Sequence, residues 1–558
     1  MDWDGTAFRV ANGYAIKDEL KAAGFRWDKP SLSWYTYDHV QTRGFNQLAN
    51  ERCKLHLEKL EAQDREMIEA SRALTSDAHI PAPPGCEYRP FQIAGIETAL
   101  RMGSCLLGDQ MGLGKSIQAL GVINCLPEVQ NILIVCPGRL KPNWQIESLK
   151  WLLHPDIEIV QATSDYFPAP PQRGAQMVII NYEILTPPES RKRQKNAVPE
   201  AGGKKVKKII VPRQGLTERL WDVIIYDECQ RIKNSKTQQT KAALAIKGRR
   251  KLFLSGTPFL NRPSELWTII NAINPHIWNS WWEFVHRYCG AKKTRFGLDT
   301  DGATNRDELN YKLRSTLMIR RLVEDVLPEL PPRTYQLIEM PTTPDIIARE
   351  QALLAKFPET VRELKRRVKA AAHARTEEEY NDAVGKLKSC GMPGDLAAIM
   401  EIRHETTRAK LPLIIEHLKD AIESGSKIVF FAWFRDILEA VHKAFGEQSV
   451  LFYGGMHLDT TQRAIEGFQT KDSIRLFCGS FKAAGEGITL TASNHCVFGE
   501  LDWVPGTIRQ AEARLIRIGQ HWPVLIQHLV LENSLDGEIA KILVDKQNIL
   551  NEVLDAGR

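Results

Sequence analysis

The stretch CLLGDQMGLGKS, residues 105–116, sets a lysine and a serine directly behind a glycine-rich turn. Glycine lets backbone N–H groups come close enough to cup phosphate oxygens, and a helix starting there adds positive potential. Lys115 would then reach the β- and γ-phosphates of a nucleotide, and the Ser116 hydroxyl would hold Mg2+. The strict spacing G-x-x-x-x-G-K-[ST] wants glycine at 109, where Asp109 stands, with Gly108 one residue early. The loop therefore needs a partner, and WDVIIYDECQ (221–230) supplies one: an apolar run ending in Asp227-Glu228. A carboxylate pair at the end of a buried strand suits phosphoryl transfer, with Asp227 holding the metal and Glu228 orienting and polarising the attacking water. Far along the chain, QAEARLIRIGQ (510–520) sets Arg514 and Arg517 three residues apart. On a helix that spacing shares one face, so one helical turn is expected to present both guanidiniums together. Solvated surface charge is the default reading of such a pair.

The elements that must position these residues follow from the apolar runs. From Tyr88 to about Leu330, SCLLG, ILIVCP, MVIINY, DVIIYDE and KLFLSG alternate with helical segments. Uniformly apolar strands between helices mean a parallel sheet covered on both faces. A second series, KIVFFAW, SVLFYGG, IRLFCGS, HCVFGEL and VLIQHLV, fills the C-terminal part. The expected fold class is α/β: two RecA-like parallel-sheet lobes joined by a helical segment, behind a small α+β N-terminal module. The expected boundaries are 1–45 for that module, whose Trp27 and Trp34 flank a turn at Lys29-Pro30-Ser31, and 46–84 for a helical linker. Lobe one then covers 85–335, a helical linker or insertion 336–402, and lobe two 403–558.

Bulk properties exclude several classes. Composition is that of a globular chain, 43% hydrophobic and 25% charged. No window approaches the roughly 18 uninterrupted apolar residues of a membrane span, so no membrane partner is expected. The ten cysteines are scattered without a C-x-x-C pair, and those in LIVCP and RLFCG read as small buried hydrophobes in a reducing compartment. Net charge is only +6, too mild to imply a polyanion by itself. Basic residues cluster at 191–213 and 363–375, where a solvated face is the ordinary explanation.

Taken in order, the motifs resemble those of Swi/Snf-type superfamily-two ATPases from Tyr88 to about Lys546. YRPFQIAGI resembles the family's adenine-reading segment, which implies Arg89 and Gln92 beside the base. DQMGLGKS resembles D-E-M-G-L-G-K-[ST], so the Asp that spoils the strict pattern is what the family carries. The resemblance implies an ATP site of Asp109, Met111, Gly112, Leu113, Gly114, Lys115 and Ser116, with Mg2+ on Ser116 and Asp227. Lobe two would add Gly487 from GSFKAAGEGITLTAS and Arg514 and Arg517 as arginine fingers. Lys115, Glu228 and the two arginines are the implied catalytic groups. LSGTPFLNRPSEL resembles the coupling motif, implying Ser255, Gly256 and Thr257 together with Gln230 and Gln510. LIVCPGRLKPNW and VIINYEIL resemble motifs that lie along DNA, implying sequence-independent contacts to phosphate from Arg139, Lys141, Asn143, Asn181 and, in lobe two, Lys482, with Trp503 as a stacking or wedge residue. Trp144 and Trp503 could equally be core. Two positions depart from the pattern: Gln110 replaces Glu, and Gln230 replaces His.

The wording PGTIRQAEARLIRIGQ and the Trp-rich N-terminal module resemble the compact annealing-helicase (HepA-related, HARP) branch, whose small module recognises DNA structure. The function expected is an ATP-dependent double-stranded DNA translocase that remodels or reanneals DNA, acting as a monomer on DNA. One alternative is a strand-separating helicase or the motor of a restriction or repair assembly. In that case a nuclease or repair protein would be a separate chain, since only 38 residues follow Gln520. Another alternative, motivated by Gln110 and Gln230, is an ATP-gated DNA-binding protein with little turnover. The absence of chromatin-reading modules points to a bacterial or phage-encoded cytoplasmic chain; in a eukaryote RKRQK would read as a nuclear signal.

Overall fold

The computed structural model describes residues 1–154, 156–171, 173–186, 213, 215–256, 263–294, 297–300, 302, 304–327, 332–355, 358, 362, 366, 393–481, 488–500, 505–517, 519–532, 534 and 537. The chain forms two compact units, Met1–Gln110 with Gly114–Val326, and Met111–Leu113 with the chain from Leu327 onward.

Unit one begins with a four-stranded antiparallel sheet in the order β1-β2-β4-β3, built from β1 (Asp2–Trp3), β2 (Phe8–Ala11), β3 (Arg26–Asp28) and β4 (Ser33–Thr36). Helix α1 (Lys17–Ala23) lies between β2 and β3 and buries Leu20 against Val10, Phe25 and Phe45. Trp27 pairs with Trp34 across the β3–β4 hairpin, their rings edge-on at 5.6 Å. Helix α2 (Glu51–Arg72) starts at Asn50, whose side chain accepts from Cys53 N at 2.8 Å. Such a cap satisfies a donor that the first helical turn leaves orphaned.

The main sheet of unit one is all parallel, in the order β13-β5-β10-β9-β6-β8-β7. Its strands are β5 (Cys105–Leu107), β6 (Asn131–Cys136), β7 (Ile157–Gln161), β8 (Ala175–Asn181), β9 (Trp221–Asp227), β10 (Gly248–Leu254) and β13 (Met318–Ile319); β11 (Lys292–Thr294) and β12 (Gly297–Asp299) form a separate hairpin. Five strands match the apolar runs. The other two escape that reading because β13 has two residues and β7 (IEIVQ) is a half-buried edge strand. Apolar side chains fill both faces, with Leu133, Val178 and Phe253 on one and Ile134, Ile179 and Leu252 on the other.

Unit two carries a second parallel sheet, in the order β14-β19-β18-β15-β17-β16. It comprises β14 (Arg333–Met340), β15 (Ile428–Ala432), β16 (Ser449–Phe452), β17 (Leu476–Ser480), β18 (His495–Phe498) and β19 (Val524–Leu531). Residues 336–340, expected to open a helical linker, are instead part of β14, which pairs with β19 along its whole length. As an edge strand it mixes polar and apolar residues, RTYQLIEM, with only its last residue buried, so no apolar run marks it.

Candidate active site

Register brings the chemistry to one edge of the first sheet. Leu107 of β5 pairs with Leu254 of β10, and Leu254 with Asp227 of β9. On the far side of β9, Val135 pairs with Tyr226, and Cys136 with Asn181. One row thus crosses the sheet at the carboxyl ends of five strands, and the next residues out, Gly108, Ser255, Glu228 and Pro137, line one rim. Ligands of open α/β sheets bind outside the carboxyl ends of the strands.

The phosphate loop leaves β5 and turns into α4 (Lys115–Asn124) through Gly112 and Gly114, at φ +87° and +72°. Only glycine adopts that backbone without strain. At Gly114 a Cβ would also come within 2.5 Å of Gln92 Nε2. Lys115 Nζ donates to the carbonyls of Asp109 (2.8 Å) and Gln110 (3.2 Å), so it points into the concavity of the loop. Ser116 follows in the first turn of α4, partly exposed. The donors fit a triphosphate with Mg2+: backbone N–H groups at a helix start, an ammonium, a hydroxyl, and the carboxylate of Asp227.

Asp109 corrects the sequence reading. Its side chain is fully buried and does not face the loop concavity. It accepts from Arg321 Nη2 at 2.7 Å, Nε at 3.0 Å and backbone N at 2.9 Å, and from Gln118 Nε2 at 2.9 Å. Arg321 also donates to Phe91 O and, at 2.9 Å, to Gln118 Oε1. The pair pins the loop to β13 and to α3 (Pro90–Met102). It also accounts for Gly95 in YRPFQIAGI, where a Cβ would lie 2.3 Å from Arg321 Nη2 and 2.1 Å from Gln118 Oε1. Gln92 is buried and its Oε1 accepts from Arg89 N at 3.0 Å, satisfying the backbone donor at the start of α3. Gln110 Oε1 accepts from Val323 N at 2.7 Å, a bond that the family's usual carboxylate could also accept.

Asp227 and Glu228 sit at the end of β9. Asp227 Oδ1 accepts from Glu228 N at 2.9 Å and Oδ2 from the Trp144 indole at 2.8 Å; its carbonyl accepts from the Tyr182 hydroxyl at 2.8 Å. Burial, and then the Glu228 carboxylate beside it, push the Asp227 carboxyl well above the usual range, while the Trp144 bond opposes them. A divalent cation reverses that balance by stabilising the ionised form. Glu228 has φ +51°, in the left-handed region, where a non-glycine residue costs about 1–3 kcal/mol and tends to mark functional sites. Gln230 continues the chain: its Nε2 donates to Glu228 Oε2 at 2.5 Å and its Oε1 accepts from Ser255 Oγ at 2.8 Å. The glutamine therefore bridges the acidic pair and the Ser255-Gly256 motif with the donor and acceptor that a histidine would offer.

Of the residues expected along DNA, Asn143 is exposed at the start of α5 (Lys141–Trp151), and Arg139 is partly exposed just before it. Asn181 donates to Glu183 at 2.8 Å and lies beside Gly138, where a Cβ would come 3.8 Å from its side chain. Lys141 is a second correction. It is 8% exposed and its Nζ donates to Ala162 O at 2.6 Å, so the ammonium holds the sheet rather than facing solvent. Trp144 is core, at 1% exposure, with its indole spent on Asp227.

The arginine pair is a third correction. The helix Pro505–Glu512 ends before it, with Arg514 in the turn that follows and Arg517 in a bend beyond it. Beyond the helix end the carbonyl of Arg514 accepts from Leu490 N at 2.8 Å. Arg514 is buried; Arg517 is partly exposed and donates to Ala513 O and to Thr489 Oγ1, each at 2.9 Å. Gln510 is partly buried in the last turns of that helix. Thr257, Lys482, Gly487, Trp503, the 191–212 basic segment and nearly all of 363–375 fall outside the described residues. Among the described residues no helix is long and apolar enough to cross a membrane.

Sequence reasoning missed Arg321 and Gln118, the partners of Asp109, and Tyr182. Arg321 lies 212 residues from Asp109; the apolar MI of β13 just before it was the available signal.

Two parallel sheets, the first carrying a phosphate loop and a strand-end acidic pair on one rim, define the class of two-lobed, helicase-like P-loop proteins. Residues 40–347 match the SNF2-related domain and residues 409–519 the helicase conserved C-terminal domain. The first match spans more than half of the sequence, and the chain belongs to the SNF2-related family. Similar curated proteins include the mouse DNA annealing helicase and endonuclease ZRANB3, 31% identical over 84% of this chain and 40% of that protein. Another is the SWI/SNF-related matrix-associated actin-dependent regulator of chromatin subfamily A-like protein 1 of Xenopus tropicalis, 29% identical over 84% of this chain and 45% of that one. The chain thus spans less than half the length of these two relatives. Among solved structures, the Sulfolobus solfataricus SWI2/SNF2 ATPase core in complex with dsDNA aligns at 23% identity and TM-score 0.37, over 87% of this chain and 96% of that one.

Proposed function

We propose that the chain is an ATP-dependent, sequence-independent double-stranded DNA translocase that remodels or reanneals DNA. The observation that carries this reading is the hydrogen-bonded line Asp227, Glu228, Gln230 and Ser255 on one sheet rim, with Lys115 turned into the phosphate loop of the same sheet, in a member of the SNF2-related family. Lys115 and the loop amides bind the triphosphate, with Met111, Gly112, Leu113 and Gly114 supplying backbone and Arg89 and Gln92 the base-proximal side. Ser116 and Asp227 would hold Mg2+, which would supply charge neutralisation at the phosphates. Glu228 orients the attacking water, and Gln230 with Ser255 fixes that carboxylate. Arg514 and Arg517 of unit two neutralise the charge spread over the transferring phosphoryl oxygens, and Gly487 is counted with the ATP-binding residues. Gln510 and the Ser255-Gly256-Thr257 motif pass nucleotide state to the rest of the motor.

The residues assigned to phosphates of the duplex are Arg139, Asn143, Asn181 and Lys482, with Trp503 as a stacking or wedge group. The exposed Trp27, Tyr14 and Tyr37 of the N-terminal module suit recognition of DNA structure. The divisions 1–45 and 46–84 stand as functional parts ahead of lobe one from 85, while β14, paired with β19, goes with lobe two. A single copy suffices, acting in the cytoplasm of a bacterium or as a phage-encoded chain, or in the nucleus if the source is eukaryotic.

Displacement of a triplex-forming strand, measured beside unwinding of a forked duplex and annealing of complementary strands, tests the reading. A translocase displaces the third strand and anneals without unwinding. Efficient unwinding would move the assignment to the helicase alternative, and no strand displacement despite ATP-dependent binding would move it to the gated binder.

A further inference from the structure

Besides the Glu228 N–H on Oδ1, two donors from distant parts of the chain hold Asp227: the Trp144 indole on Oδ2 and the Tyr182 hydroxyl on the carbonyl, both at 2.8 Å. Neither donor serves ATP chemistry in the mechanism above. Each is next in sequence to a residue of the duplex-facing rim. Trp144 follows exposed Asn143 in the first turn of α5, and Tyr182 follows Asn181 at the end of β8. The rings themselves are 1% exposed and packed in the two separate core layers flanking the sheet, Trp144 on one face and Tyr182 on the other. Asp227 is therefore clamped from both faces by side chains rooted in the two loops that touch at Gly138 and Asn181.

We infer that Trp144 and Tyr182 are positioning residues that transmit duplex engagement at the 138–143 and 181 loops to the metal-holding Asp227. The inference rests on the duplex-motor reading and deepens it. A close-packed interior conveys displacement rather than absorbing it, and a bond of 2.8 Å leaves little slack. A shift of the start of α5 moves the indole and with it Oδ2. A shift at the end of β8 moves the hydroxyl that holds the Asp227 carbonyl, and so the peptide that keeps Glu228 at φ +51°. This route is distinct from the Gln230–Ser255 bridge, which reaches Glu228 along the opposite side of β9 through β10.

Linkage makes the idea measurable, because sites that are coupled change each other's affinity by the same factor, commonly about 5- to 150-fold. The experiment measures duplex Kd by fluorescence anisotropy with and without Mg2+ and a non-hydrolysable ATP analogue. It is run on the full chain, Trp144→Phe and Tyr182→Phe. Both substitutions keep an aromatic ring and delete the donor, and thermal melts confirm that each variant is folded. The ratio of the two Kd values is expected to fall at least about fivefold towards one in either folded variant. The half-saturating Mg2+ concentration for hydrolysis should also stop responding to duplex. A ratio within twofold of the parent in both variants overturns the inference, as does a parent ratio of one. The duplex-motor reading stands or falls separately, on duplex-stimulated hydrolysis by the unsubstituted chain.

Discussion

Replacing Arg321 with methionine isolates the buried pair beneath the phosphate loop. Asp109 is fully buried and Arg321 is 2% exposed, so neither charge is screened by water. The substitution keeps most of the aliphatic bulk and deletes two of the four donors to the carboxylate, Nε and Nη2, leaving Arg321 N and Gln118 Nε2. Breaking a buried pair from one side costs about 3–5 kcal/mol, because the remaining charge stays desolvated. With a urea dependence near the upper end of the usual range, ~3 kcal/mol per molar, that is a midpoint shift of about 1–2 M. Intrinsic fluorescence is a suitable assay, since ten of the thirteen tryptophans lie between Trp3 and Trp282, within unit one. Asp109→Asn combined with Arg321→Met removes both charges and should recover at least half of the loss. A single-variant midpoint within about 0.3 M of the parent, or a double variant no more stable than the single, would refute the assignment of Asp109 as an anchor.

Other outcomes follow from the same geometry. Gly95→Ala must push its Cβ into the Arg321 guanidinium and Gln118, so unit one should lose about 1–3 kcal/mol in the same urea assay. Gln230→Ala removes the donor to Glu228 and the acceptor for Ser255, and hydrolysis should drop roughly 10- to 100-fold while Gln230→His retains most of it. Burial of His528 against Phe498 lowers its pKa to about 4. A depressed histidine favours the folded state fully above its unfolded value near 6.5, and stability is lost as pH falls from there towards 4. Melting curves at pH 7 and pH 5 should show this loss in the parent and a smaller one in His528→Phe. Arg139→Ala should reduce the slope of log duplex affinity against log salt by about one. Lys141→Met, whose ammonium is bonded to Ala162 O, should leave that slope unchanged.

What could be read from the sequence divides along physical lines. Apolar runs such as ILIVCP and KIVFFAW announced buried parallel strands because both faces of those strands need apolar side chains. The loop and the Asp227-Glu228 pair were legible because their chemistry is carried by residues close in sequence. Solvent exposure was not legible. Lys141 looked like a phosphate contact and is a buried bracket, and Asp109 looked like part of the nucleotide surface and is an ion-pair partner. Long-range bonds were invisible for the same reason. Nothing in the spacing of Arg321, Trp144 or Tyr182 tells which carboxylate or carbonyl each will meet once the sheet assembles. The arginine pair shows the limit of periodicity: a three-residue interval predicts one helix face, but the helix ends at Glu512 and the chain turns, with Arg514 N donating to Ala511 O and Arg514 O accepting from Leu490 N.

The central claim is tested most directly by ATP hydrolysis of the purified chain without DNA, with single-stranded DNA and with double-stranded DNA, run beside Glu228→Gln. The account predicts strong stimulation by duplex and its abolition in the variant, which keeps the shape of the side chain and removes the charge that orients water. Turnover indifferent to DNA, or a Glu228→Gln chain that hydrolyses ATP at the parent rate, would contradict it.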